Sequence, residues 1–251
     1  MIPNVPLVLV YGPNGAGKTR LINDTLLRHE HFDAERAPDD SEVALAWCVD
    51  DLLHNPTVLA DVANLYASLS PPMTLTLAAA SARHLVPHVA PIGHPERAEA
   101  LARSGGGLAR LLFTATRATA AAHQGNIHAI DHPERDLDAN NRAALARYLV
   151  RLAARPGARL IIETNEQTFT LAAQVAVAKG EIPADAVRLV QIDRSSSGRV
   201  TAQEITVTPW GSLGDGAVNP NRADYGLACE LARAARVHPD RPRAAWEAAE
   251  P

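Results

Sequence analysis

Leu7-Val8-Leu9-Val10-Tyr11-Gly12-Pro13-Asn14-Gly15-Ala16-Gly17-Lys18-Thr19 is the stretch on which the fold turns. Its first five residues are a continuous apolar run, the pattern of a strand buried on both faces. Gly12 to Thr19 then read Gly-x-x-x-x-Gly-Lys-Thr without a mismatch. Leu21, Ile22, Leu26 and Leu27 follow, which predicts a helix from Thr19 to about residue 29. Strand, glycine loop and helix form the setting in which this spacing cradles phosphate. The glycines let backbone amides converge on phosphate oxygens, and the helix start offers unpaired N–H groups and a positive dipole end. Lys18 brings charge to the β- and γ-phosphates, and the Thr19 hydroxyl is a ligand for Mg²⁺. Asn14, Gly15, Ala16, Gly17, Lys18 and Thr19 are thus the expected nucleotide contacts, with ATP and Mg²⁺ as the expected ligands.

Composition supports an α/β core. Apolar residues make up 47% of the 251-residue chain but aromatics only 4%, so Ala, Leu, Val and Ile must fill the interior. That mixture suits helices packed on a mostly parallel sheet. A net charge of -4 gives no general basic balance for nucleic acid. Cys48 and Cys229 stand far apart without a partner motif and read as free thiols in a reducing compartment. Met1-Ile2-Pro3-Asn4 is not a charged segment followed by an apolar stretch, so no secretory signal is expected, and no run reaches membrane-span length. The chain reads as soluble and cytoplasmic.

Outward from the loop, residues 30–42 are charged and contain proline, the mark of an exposed connection. From Val43 to about His94 the pattern reads as mostly helical, broken at Pro56, Pro71-Pro72 and Pro87. With a helix from Leu108 to about His123, it predicts a helical subdomain inserted over about 43–123 of a single domain spanning 1–240. Ile127-His128-Ala129-Ile130 and Arg159-Leu160-Ile161-Ile162-Glu163 read as further core strands. Helices are expected over about 140–153 and 167–179. Val187 to Ile192 and Val200 to Val207 flank Ser195-Ser196-Ser197-Gly198 as a β-hairpin at the sheet edge. A last helix runs from Asn221 to about Val237, and 241–251 reads as a flexible tail. His84 and His88 are spaced i, i+4 but have no acidic third ligand, and the serine run reads as a turn.

A metal–triphosphate site needs a carboxylate at the end of a neighbouring strand, and Asp131 follows such a run. Read alone, Asp131 would be a helix cap or turn residue, but with the loop present the metal role is the favoured one. Here the chain resembles the P-loop NTPases of the ATP-binding-cassette (ABC) type. Asp131-His132-Pro133-Glu134-Arg135-Asp136-Leu137-Asp138 resembles that family's Walker B segment running into its D-loop. Ser104-Gly105-Gly106-Gly107 resembles the core of its signature motif, and Glu163-Thr164-Asn165-Glu166 stands where the family has its switch. The resemblance spans Val8 to about Leu171 and is nearer to stand-alone members related to chromosome-maintenance, DNA-repair and phage-defence ATPases. It implies an ABC-like fold with a C-terminal hairpin, Mg²⁺ on Thr19 and Asp131, and an ATP-bound homodimer. In that dimer Ser104, Gly105 and Gly106 would act on the partner's nucleotide. Without the resemblance, Ser104 is simply a helix cap.

The pattern departs from the family at four points. The position of the catalytic glutamate holds His132, and the switch histidine is Asn165. No aromatic-bearing strand is found before Leu7, and no Q-loop glutamine stands between the two glycine clusters. Neutral imidazole accepts a proton, whereas an amide hydrogen-bonds without titrating. Glu134 and Glu163 are the carboxylates available to position water, so His132, Glu134, Glu163 and Asn165 are the candidate catalytic residues. The expected activity is an ATP-dependent dimerisation switch with slow hydrolysis. Two other readings stay open. One is a catalytically weak nucleotide-binding subunit docked to a protein partner through the helical insertion. The other is a small-molecule kinase, with Arg97, Arg103 and Arg110 as lid candidates. A nucleic-acid partner rests on family analogy alone.

Overall fold

The computed structural model describes residues 5–26, 41–81, 84–195, 197–214 and 225–237. The apolar run before the glycine loop is strand β1 (Leu7–Tyr11), buried at every position. It lies at the centre of a five-stranded sheet with β5 (Ile127–Asp131), β6 (Arg159–Thr164), β7 (Val187–Arg194) and β8 (Val200–Ile205), in the order β5-β6-β1-β7-β8. β5, β6, β1 and β7 are parallel, and β8 returns antiparallel on the edge. The predicted hairpin near the C-terminus is this β7–β8 pair.

Strand alternation sorts the core. Leu7, Leu9, Leu160, Ile162, Ile130 and Leu189 join the larger apolar cluster. Val8, Val10, Ala129, Ile161 and Ile192 face a smaller one with Ala16 and Ile22 from the segment after β1. Period two turns successive side chains to opposite faces, so one run of valines and leucines serves both layers.

The segment after the loop is helical, as α1 (Lys18–Leu21) running into a π-helical stretch over Ile22–Leu26. On the larger face lie α4 (Gly106–Gln124), α5 (Ala139–Ala153) and α6 (Gln167–Ala178), with α2 (Ser41–His54) and α3 (Pro56–Ala67) against α4. Small Ala and Thr side chains on α4, among them Ala115, Ala118 and Thr119, are buried and let neighbours pack close to its axis. Gly125 closes α4 in the left-handed conformation at φ 71°, which spares its last carbonyls a Cβ clash. The Asp138 carboxylate caps α5 by accepting from the Asn140 and Asn141 amides. A final helix, α7 (Tyr225–Val237), packs on α6.

The structure differs from the expectation of helix through residue 94. Two helices do occupy 41–67, but β2 (Met73–Ser81), β3 (His84–Pro91) and β4 (Glu99–Ala100) form a separate antiparallel sheet. Met73-Thr74-Leu75-Thr76-Leu77 alternates, with Thr74 and Thr76 exposed and Leu75 buried. This is a two-residue period that the Ala- and Leu-rich composition disguises. Prolines at 87 and 91, which interrupt a helix, are accommodated in β3. The connection expected over 30–42, the first residues of the helix expected from Asn221, and the tail expected over 241–251 fall wholly or mostly outside the described residues.

Candidate phosphate-binding site

Parallel strands deliver their C-terminal ends to one rim, where α/β sheets bind ligands. In register, Val10 stands beside Glu163, Tyr11 beside Thr164, and Asp131 beside Glu163. The chain leaves β1 at Gly12, with φ 149°, where an added Cβ would lie 2.1 Å from the Ile192 carbonyl oxygen of β7. Glycine is therefore required there for the loop to pass the adjacent strand. Gly15 and Gly17 take φ 73° and 96°, and buried Ala16 anchors the loop's inner side.

Lys18 is 3% exposed. Its Nζ donates to the carbonyls of Gly12 at 3.0 Å and Pro13 at 3.1 Å, spanning the loop, and to Asn165 Oδ1 at 2.6 Å. Burial pulls its pKa below the usual lysine value, against the opposite pull of Glu163, Glu134 and Asp131. The Asn165 amide also donates to Asn14 Oδ1. The expected switch residue thus bridges the loop's lysine and its exposed tip.

The acidic residues converge next to that lysine. Thr19 Oγ1 donates to Glu163 Oε1 at 3.0 Å, and the same oxygen lies 3.9 Å from Lys18 Nζ. Ligand atoms of Asp131, His132 and Glu163 all lie within 4.8 Å of one another. Burial raises the Glu163 pKa, helped by the nearby Asp131 charge and opposed by the Thr19 hydrogen bond. The residue types fit a triphosphate with a divalent cation: a glycine-lined loop, a lysine, and a hydroxyl beside two carboxylates. Thr19, Asp131 and Glu163 are the groups that would hold the cation.

His132 adopts φ 48°, unusual for a residue other than glycine, and its amide donates to the Glu163 carbonyl at 2.9 Å. Its Nδ1 lies 3.0 Å from Glu134 Oε1, which also accepts the Asn165 backbone N–H at 3.1 Å. Burial opposes ionisation of Glu134, yet the hydrogen bonds from His132 and the backbone hold its pKa below the ordinary value. The Glu134 hydrogen bond, partly offset by burial, raises the His132 pKa. Glu134 is therefore the partner of His132 and Asn165, and its Oε2 has no hydrogen-bond partner among the described residues. His128, on β5, is an interior residue whose pKa burial lowers to about 4, aided by Arg117.

Ser104, Gly105 and Gly106 do not join this cluster. With Gly107 they line a separate cavity of about 600 Å³, bordered by Leu69–Pro71 and Asp136–Asp138. The cap position of α4 is Gly105 at φ 102°, whereas Ser104 Oγ donates to Glu99 Oε1 at 2.9 Å, so Ser104 is not the helix cap. A Cβ on Gly107 would come within 2.3 Å of the Asp136 carbonyl oxygen. The glycine cluster thus lets the start of α4 press against the Asp136–Asp138 segment, bringing together two motifs read separately in the sequence. Of the lid candidates, Arg110 pairs with Asp136 at 3.1 Å.

One loop contact had no sequence signal. Arg194, at the end of β7, donates to the Gly15 carbonyl at 3.2 Å. Its placement depends on β7 lying beside β1, which no local pattern encodes.

The sequence matches no family profile and no curated protein. Among solved structures, the chain is similar to the SMC head domain from Thermotoga maritima at 13% identity and TM-score 0.50, over 80% of this chain and 90% of that one. An Smc head bound to the C-winged helix domain of ScpA aligns at 13% identity and TM-score 0.45, over 60% of this chain and 43% of that one. A head with an extended coiled coil from Pyrococcus furiosus aligns at 13% identity and TM-score 0.43, over 60% and 35%. The chain thus spans less than half the length of these last two. No described helix is long and apolar enough to cross a membrane. The likeness is one of fold: this chain has the mixed α/β architecture and mostly parallel central sheet of the SMC head domain.

Proposed function

We propose that the chain is an ABC-type ATPase that binds ATP with a divalent cation on loop 12–19 and uses the bound nucleotide to dimerise. The observation that carries this reading is the convergence of Lys18, Thr19, Asp131, Glu163 and Asn165 on one sheet rim. Loop amides and Lys18 would bind the phosphates, and Thr19, Asp131 and Glu163 would hold the cation, which would supply charge neutralisation for the phosphates. Ser104, Gly105 and Gly106 face a different opening, which suits action on the nucleotide of a second copy.

Hydrolysis is slow in this reading. His132 has one ring nitrogen tied to Glu134 and a raised pKa, and Asn165 cannot take a proton. The same observation favours a second reading, a nucleotide-binding subunit that regulates a larger complex without turnover.

Mass measurement by light scattering with and without ATP–Mg²⁺, on wild type and Lys18→Ala, tests the proposal. A doubling of mass with nucleotide, lost in Lys18→Ala, is the expected result. A wild type that binds ATP but stays monomeric would sink the dimerisation switch, and one that binds no nucleotide would sink the whole reading. Single-turnover hydrolysis of bound ATP then separates slow ATPase from regulatory subunit.

A further inference from the structure

We infer that Asp131, His132 and Glu163 form a binding site for a first-row transition-metal dication that fills without nucleotide and prefers such ions to Mg²⁺. Three side chains offer ligand atoms within one 4.8 Å neighbourhood. His132 Nε2 lies 3.8 Å from Asp131 Oδ1 and 3.7 Å from Glu163 Oε1. Ligands about 2.1 Å from a shared ion stand roughly 3.0–3.6 Å apart, so the two contacts to His132 need shifts of only a few tenths of an ångström.

The imidazole is already aimed. Nδ1 is engaged by Glu134, which is 7% exposed and fixed in turn by the Asn165 amide. That arrangement places the proton on Nδ1 and leaves Nε2 as the ligand atom, the carboxylate–histidine pattern that orients metal-bound histidines. The positive φ of His132 and its backbone bond to Glu163 hold the ring beside both carboxylates. Glu134 is thus a positioning residue, not a ligand.

The donor set decides the ion class. Mg²⁺ takes oxygen ligands and gives up water reluctantly, whereas imidazole nitrogen suits first-row transition ions. Three protein ligands also suffice to hold an ion before any phosphate arrives. Metal binding itself does not depend on the nucleotide reading. Only its consequence, that the ion meeting bound ATP is not Mg²⁺, rests on that reading.

Titrate the metal-stripped, nucleotide-free full chain with Mn²⁺, reading free ion by EPR, and with Co²⁺, reading visible absorption. The expected result is one Mn²⁺ per chain, retained against a tenfold excess of Mg²⁺, and Co²⁺ bands that change in His132→Ala. His132→Ala and Glu163→Gln should each lose Mn²⁺ affinity, and Glu134→Gln should weaken it by about tenfold or more through lost orientation. Circular dichroism checks that each variant is folded. If one variant fails to fold, the remaining one decides. Binding of neither Mn²⁺ nor Co²⁺ by wild type, displacement by equimolar Mg²⁺, or affinity unchanged in every folded ligand variant would overturn the inference. Mn²⁺ binding without ATP binding would leave it standing and remove only the nucleotide reading.

Discussion

Replacing Glu134 by glutamine tests the electrostatics at the centre of the site. The glutamine carbonyl can still accept the Asn165 amide, which Glu134 Oε1 accepts at 3.1 Å, but the negative charge facing His132 Nδ1 at 3.0 Å disappears. A hydrogen bond with a charged partner contributes about 1.5–3 kcal/mol, and a neutral one about 0.5–1.5 kcal/mol. The pH dependence follows from two opposite shifts. Glu134 is held below 4.5, so its contribution is present above that value and is lost as pH falls through the lower folded pKa. His132 is raised above 6.5, so its contribution is full below that value and is lost as pH rises through the higher folded pKa. Both partners are therefore charged and paired between 4.5 and 6.5. In urea titrations with chelator and no nucleotide, wild type should exceed Glu134→Gln by about 2 kcal/mol near pH 5.5, shrinking to about 1 kcal/mol near pH 9. A gap that is the same at both pH values, or wider at the alkaline one, would refute the ion-paired description.

Gly107→Ala should destabilise by about 1–3 kcal/mol, because its Cβ meets the Asp136 carbonyl at 2.3 Å; thermal denaturation reads the loss. Tyr66→Phe removes a buried hydroxyl that donates to the Leu108 carbonyl at 2.7 Å and should cost about 1 kcal/mol in denaturant midpoint analysis. Asp138→Ala uncaps α5, losing bonds from the Asn140 and Asn141 amides and from Asn141 Nδ2, for about 1–2 kcal/mol by the same measurement.

The legibility of this chain follows the range of the interactions. β1, β5 and β6 were visible because a strand buried on both faces must be apolar without alternation. The end of α5 was visible because Pro156-Gly157 stops the helical pattern just after Ala153. The sheet over Met73–Pro91 was misread because Ala and Leu serve both periods, and the deciding Thr74/Leu75/Thr76 alternation is short. In the site, the spacing of the loop was readable from the sequence, but the contacts of Glu134 were not. As a sequence neighbour of Asp131 it suggested a water-positioning carboxylate, whereas the turn at His132 directs it inward to His132 and Asn165.

What the chain determined by itself is local: a glycine loop between strand and helix, a lysine and threonine at its end, and acidic residues closing two apolar runs. Those features follow from neighbouring backbone geometry and from the need to exclude polar side chains from a doubly covered strand. The tertiary structure alone decided that Thr19, Asp131, His132 and Glu163 share one rim, because strand order and register are set by packing across many residues of separation. It also decided that His132 points at two carboxylates with Glu134 behind it. The cost of burying Glu134 is offset by partners that only the folded β5–β6 edge supplies.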